Sequence, residues 1–123
     1  MTKAEVDKII KYYMHVKEAI ELCLSLATFE IGKRKKVIAI TEQVKKVCEI
    51  IDMVYKSEED EKLKSMIKHI LDGVKDLYIM QNVVHYEKNA YYTRKSAFRG
   101  KVYSCCAACG LATFEEVLKE KIG

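Results

Sequence analysis

Residues His69–Phe98 read HILDGVKDLYIMQNVVHYEKNAYYTRKSAF. Asp72-Gly73 is a helix stop, and after it Val74, Ile79, Met80 and Val83 give a short helix near 74–83 an apolar side. A turn at Val83-Val84-His85 follows, and a second helix begins near Glu87. Ala90, Ala97 and Phe98 have the i, i+7, i+8 spacing of one helical face and are expected inward. Lys88, Asn89, Tyr92, Lys95, Ser96 and Arg99 are then expected outward, with Arg94 on the flank and Tyr91 at the edge of the core. From Lys88 to Ala112 there are five basic residues and no acidic one, in a chain whose net charge is only +4. That local asymmetry says more than the mild overall charge does.

A turn between two helices with a basic second helix is what a DNA-reading helix-turn-helix needs, because that helix must carry donors for phosphates and base edges into the major groove. The stretch resembles region four of bacterial sigma factors. It is closer still to the C-terminal part of ArpU/RinA-type phage late-gene transcriptional regulators. The resemblance rests on Leu71-Asp72-Gly73 and on Asn89-Ala90-Tyr91-Tyr92-Thr93-Arg94-Lys95-Ser96-Ala97-Phe98, and it extends over roughly Leu63–Leu111. It implies a sequence-specific regulator whose recognition helix spans about 87–101. Lys88, Asn89, Tyr92, Lys95 and Arg99 would meet the groove, with Arg94 beside them, double-stranded DNA as the partner and RNA polymerase as a second one. Two positions depart from the family pattern: Met80 stands where a small residue is usual, and the turn holds no glycine.

Outside this unit the chain reads as all-α. Zero prolines, 33% charged residues and abundant Lys, Glu, Ile and Val suit helices. Thr2-Lys3-Ala4-Glu5 is a capping box. It opens a helix near 3–30 whose seam is Val6, Ile9, Tyr13, Val16, Ile20, Cys23 and Ala27, with Gly32 as its stop. Lys33-Arg34-Lys35-Lys36 is read as solvated surface. A second seam, Val37, Ile40, Val44, Val47, Ile51 and Val54, runs along a helix near 36–56. The two form an antiparallel, coiled-coil-like hairpin. Ile38, Cys48 and Tyr55 widen its apolar surface, so the hairpin is also expected to make a homodimer or to engage a partner. Ser57 opens the acidic run that starts a helix near 58–71, which buries Leu63, Met66, Ile67, Ile70 and Leu71. The helix from Glu87 continues to about 109, with Gly110 as its stop, and a second capping box at Thr113 opens a last helix near 113–121. Residues 1–56 are thus read as the hairpin and 57–123 as the DNA-binding region.

Five cysteines without a secretory signal or an apolar stretch of membrane length read as reduced thiols in a cytoplasmic protein. Cys105, Cys106 and Cys109 are read as small apolar residues, since no second cysteine pair stands ready to complete a zinc site. No nucleophile–base pair, paired carboxylates or glycine-rich phosphate loop appears, so neither an enzyme nor a cofactor is expected. The competing reading is a helical-bundle interaction protein that does not bind DNA, its basic face merely solvated.

Overall fold

The computed structural model describes residues 1–27 and 34–111, with side chains over 1–22 and 42–111. All the regular structure among them is helical: α1 (Lys3–Lys11), α2 (Tyr13–Ala27), α3 (Arg34–Ser57), α4 (Glu61–Leu71), α5 (Asp76–Tyr78) running into a π-helical turn (Ile79–Val84), and α6 (Lys88–Ala108). The chain is all-α. Gly32, Lys33, the Thr113 capping box and the helix expected near 113–121 lie outside the described residues.

The helix expected near 3–30 is interrupted. Thr2 caps α1 by accepting the Glu5 N–H, but Tyr12 leaves the helical region with φ −112° and ψ 29°. The ladder holds on both sides, with Tyr12 N–H to Lys8 O and Val16 N–H to Tyr12 O. The break separates two jobs: α1 packs on α3, α4 and α6, whereas α2 pairs chiefly with α3. Val6, Ile9, Ile10, Tyr13 and Ile20 are buried from this side, and Val47, Ile51 and Val54 of α3 meet them in the core. Cys48 is turned into that core as well. Buried residues of both halves of the chain form one cluster, from Val6 to Leu111.

The acidic run starts α4 later than expected. Asp60, not Ser57, is the N-cap: its carboxylate accepts the N–H groups of Lys62 (2.9 Å) and Leu63 (3.2 Å). The Ser57 hydroxyl instead donates back to the Val54 carbonyl and closes α3. At its other end α4 stops as the sequence asks. Gly73 sits at φ 82°, its N–H bonds the Ile70 carbonyl and the Val74 N–H bonds that of His69, which is a Schellman closure. Gly110, at φ 74°, closes α6 the same way on Ala107 and Cys106.

The first helix of the motif is not a plain α-helix. Ile79 and Val84 are both fully buried, and they stand five residues apart. On an α-helix they would face directions about 140° apart. The wider π turn brings both to the core, while Met80 and Val83 are only half-buried. His85 then takes the left-handed conformation, φ 55° and ψ 38°. The backbone bend that the missing glycine would have supplied is present, with a histidine in it.

Helix α6 is rotated from its expected phase. Its buried residues are Tyr91, Phe98, Val102, Tyr103, Cys106 and Ala107, whereas Ala97 is exposed and Ala90 half-buried. Tyr91, Lys95, Phe98, Val102 and Cys106 fall within an arc of about 80° on a helix. The large apolar residues set the phase, not Ala90 and Ala97. Lys95 therefore lies on the inward stripe. Lys101 is exposed and reaches Glu58 at 3.6 Å.

Candidate functional site

What stands opposite α6 divides the six residues expected to form one face. Lys88, Asn89, Tyr92 and Arg94 are exposed. Lys95 and Arg99 are not part of that face; both are turned toward carboxylates of other elements. Lys95 Nζ lies 2.9 and 3.1 Å from the two Asp76 carboxylate oxygens. Arg99 meets Asp7 of α1 side-on, through Nε at 3.1 Å and Nη2 at 2.9 Å. The expectation that both point outward is corrected by the phase of Phe98 and Val102.

These pairs belong to a pattern. The Tyr91 hydroxyl donates to Asp76 at 2.5 Å, beside Lys95. The Tyr103 hydroxyl donates to Asp7, beside Arg99. The Tyr13 hydroxyl donates to Asp52 of α3, with Lys17 Nζ 3.7 Å from the same carboxylate. In each case a tyrosine and a cation four positions apart on one helix close on an aspartate from elsewhere. Four is the spacing that puts two side chains on one helical face. The tyrosine buries its ring and keeps its polar end partnered, so the clamp joins two elements without leaving a buried donor unsatisfied.

The clamps are felt in the acidities. Burial of Asp76 favours its neutral form, but the hydrogen bonds from Tyr91 and Lys95, with the charges of Lys95 and Arg99, outweigh it and hold the carboxyl below the ordinary range. Tyr91 and Tyr13 are raised far above the usual phenol, first by burial and then by the aspartate each one faces. Neither phenol ionises near neutral pH, so both remain donors.

The exposed part of α6 has its own local order. Both the Arg94 guanidinium and Lys62 Nζ lie 4.4 Å from the centre of the Tyr86 ring. Two cations are thus held on one aromatic ring just ahead of the helix. Tyr92 is 40% exposed and packs edge-on against buried Tyr91, which fixes its ring. His85 is exposed. Sequence reasoning missed Leu77 and Tyr78, which are 61% and 55% exposed on α5.

Cys48 and Cys106 are buried, and burial pushes each thiol up to about 11, which suits the small apolar role expected of them. Cys109 departs from it: its place just past the end of α6 leaves it exposed, with Cys105 intermediate. Among the described residues no group of three or more His, Cys, Asp or Glu side chains could hold a metal ion. No helix among them is long and apolar enough to cross a membrane.

No family model, no characterised protein and no solved structure matches this chain.

Proposed function

We propose that the chain binds duplex DNA through the first turns of α6 and acts as a transcriptional regulator of the phage or prophage kind. The observation that supports this reading is one of charge and exposure. Helix α6 carries no acidic residue over its whole length, and its first turns present Lys88, Asn89, Tyr92 and Arg94 to solvent. The residues of a recognition helix that read base edges are those near its N-terminus. In this arrangement Lys88 and Arg94 meet phosphates and Asn89 reads adenine. Lys95 and Arg99 are withdrawn from the interface and become part of its support. The N-terminal half dimerises the protein or engages RNA polymerase. Met14 and Leu22 of α2 and Met53 of α3, which stay exposed, are the surface for that contact.

Fluorescence anisotropy with a labelled duplex at several salt concentrations tests this. Affinity is expected to fall steeply as salt rises, and Lys88→Ala and Arg94→Ala to flatten the slope by about one unit for each phosphate left without its cation. A double variant that binds as the unaltered chain does refutes the assignment. Sedimentation equilibrium tests the dimer, and a strict monomer at micromolar concentration removes it.

A second reading is favoured by one observation: Lys95, Arg99 and Lys101, three of the five cations, are each paired with a carboxylate of the same chain. On that reading α6 is a structural helix of an interaction protein, and duplex binding is absent at every salt concentration.

A further inference from the structure

The two inward cations of α6 do more than hold α1 and α5. They line a cleft of about 620 Å³ between the α1–α2 break, the turn after α4 and the middle of α6. Its volume is that of a small-molecule site. Lys11 and Lys75 complete a set of four cations with Lys95 and Arg99, while Asp7 and Asp76 are the only carboxylates in the lining among the described residues. Four positive groups against two negative ones leave the cleft doubly positive. Ile10, Ile70 and Val74 supply apolar wall, and Tyr12 and His15 stand with them in the lining.

The donors are not all used. Lys75 makes no ion pair among the described residues, and Lys11 rests 5.4 Å over the Tyr12 ring. Arg99 spends Nε and Nη2 on Asp7, and its Nη1 has no acceptor among the described residues. At the end of α4 the Gly73 and Val74 N–H groups meet the carbonyls of Ile70 and His69. Asp7 and Asp76 hold the Arg99 and Lys95 side chains in place at the cleft, so little ordering of these two is left for a ligand to impose.

We propose that this cleft binds a free organic phosphate: a dianionic phosphomonoester whose charge meets the Lys11, Lys75, Lys95 and Arg99 set and whose organic part lies on Ile10, Ile70 and Val74. A phosphate dianion matches the excess charge, and its tetrahedral oxygens accept from several sides at once. The apolar wall selects an ester over inorganic phosphate.

The test uses the full chain with adenosine 5′-monophosphate and inorganic phosphate as probes, by titration calorimetry and by amide NMR. The nucleotide is expected to bind saturably at one site and to shift the amides of residues 11–15 and 73–76. Inorganic phosphate is expected to bind at least tenfold more weakly. The variant Lys11→Ala/Lys75→Ala, with both changes at exposed positions, is expected to melt as the unaltered chain does and to bind the nucleotide at least tenfold more weakly. Lys75→Glu is the second variant should the double one fail to fold. Heats that never saturate, or a folded variant that binds the nucleotide undiminished, overturn the proposal. So does a duplex oligonucleotide that shifts these amides where the nucleotide does not, since the phosphate would then be the DNA backbone. Neither lysine belongs to the exposed face of α6, so failure here and failure of the DNA-binding reading are separate results.

Discussion

Lys88 and Lys95 are the same residue type, seven positions apart on one helix and about 20° apart around it. One is exposed; the side chain of the other keeps 22% of its surface and is bound to Asp76. Helical phase gives them the same face, and what stands opposite gives them different roles. At Lys95 the face meets the start of α5 with its carboxylate. At Lys88, the first residue of α6, no ion pair forms among the described residues. A basic helix can thus offer one cation to a partner and spend the next on its own fold.

The contrast is broken most directly by removing the carboxylate. Asp76→Ala leaves the Lys95 ammonium and the Tyr91 hydroxyl half-enclosed without an acceptor, and is expected to cost about 2–3 kcal/mol. Lys88→Ala is expected to stay within about 0.5 kcal/mol. Urea denaturation measures both, and equal losses would show that the two lysines are equivalent after all.

Adding Lys95→Met to Asp76→Ala sharpens the same point. A charge pair replaced on both sides by apolar groups is often near neutral, so the double variant is expected to recover about 1–2 kcal/mol of the loss. No recovery would mean that Tyr91, rather than Lys95, depends on the carboxylate.

Acid supplies a graded version. The Asp76 carboxyl is held below its ordinary value in the folded chain, so its contribution is complete above the unfolded pKa of about 3.9 and fades as pH falls from there through the folded value. The stability gap between the unaltered chain and Asp76→Asn is expected to be constant near neutrality and to close progressively below about pH 4. A gap that stays open in acid would show that the carboxylate charge is not what holds Lys95.

The smallest effect belongs to the turn. His85→Gly removes the cost of a side chain at φ 55° but adds freedom to the unfolded chain, and is expected to stabilise by at most about 1 kcal/mol. Thermal melting checks the sign. Destabilisation would show that the His85 side chain packs against a neighbour.

Much of the fold was legible because local chemistry fixes it. Thr2, Gly73 and Gly110 mark helix ends by hydrogen-bond needs that lie within a few residues. The seams of α1 and α3 stand out because β-branched residues recur at helical spacing. The candidate face was only half legible. Counting alanines as inward set the phase of α6 by side chains too small to define it, and Tyr91, Phe98 and Val102 set it otherwise. The π turn was written in the five-residue spacing of Ile79 and Val84, which an α-helical template treats as a mismatch. The partner of Lys95 lay within the motif stretch and could have been weighed. The partner of Arg99 could not, since Asp7 stands 92 positions away and no local rule joins them.

That separation has a consequence for how the chain becomes ordered. The clamp of Tyr91 on Asp76 closes a loop of 15 residues and that of Tyr13 on Asp52 one of 39, whereas Asp7 meets Tyr103 across 96. Closing a longer loop costs more chain entropy before any contact repays it. The clamp that ties α1 to α6 is therefore the costliest of the three to close, and it latches only when the far end of α6 has been made.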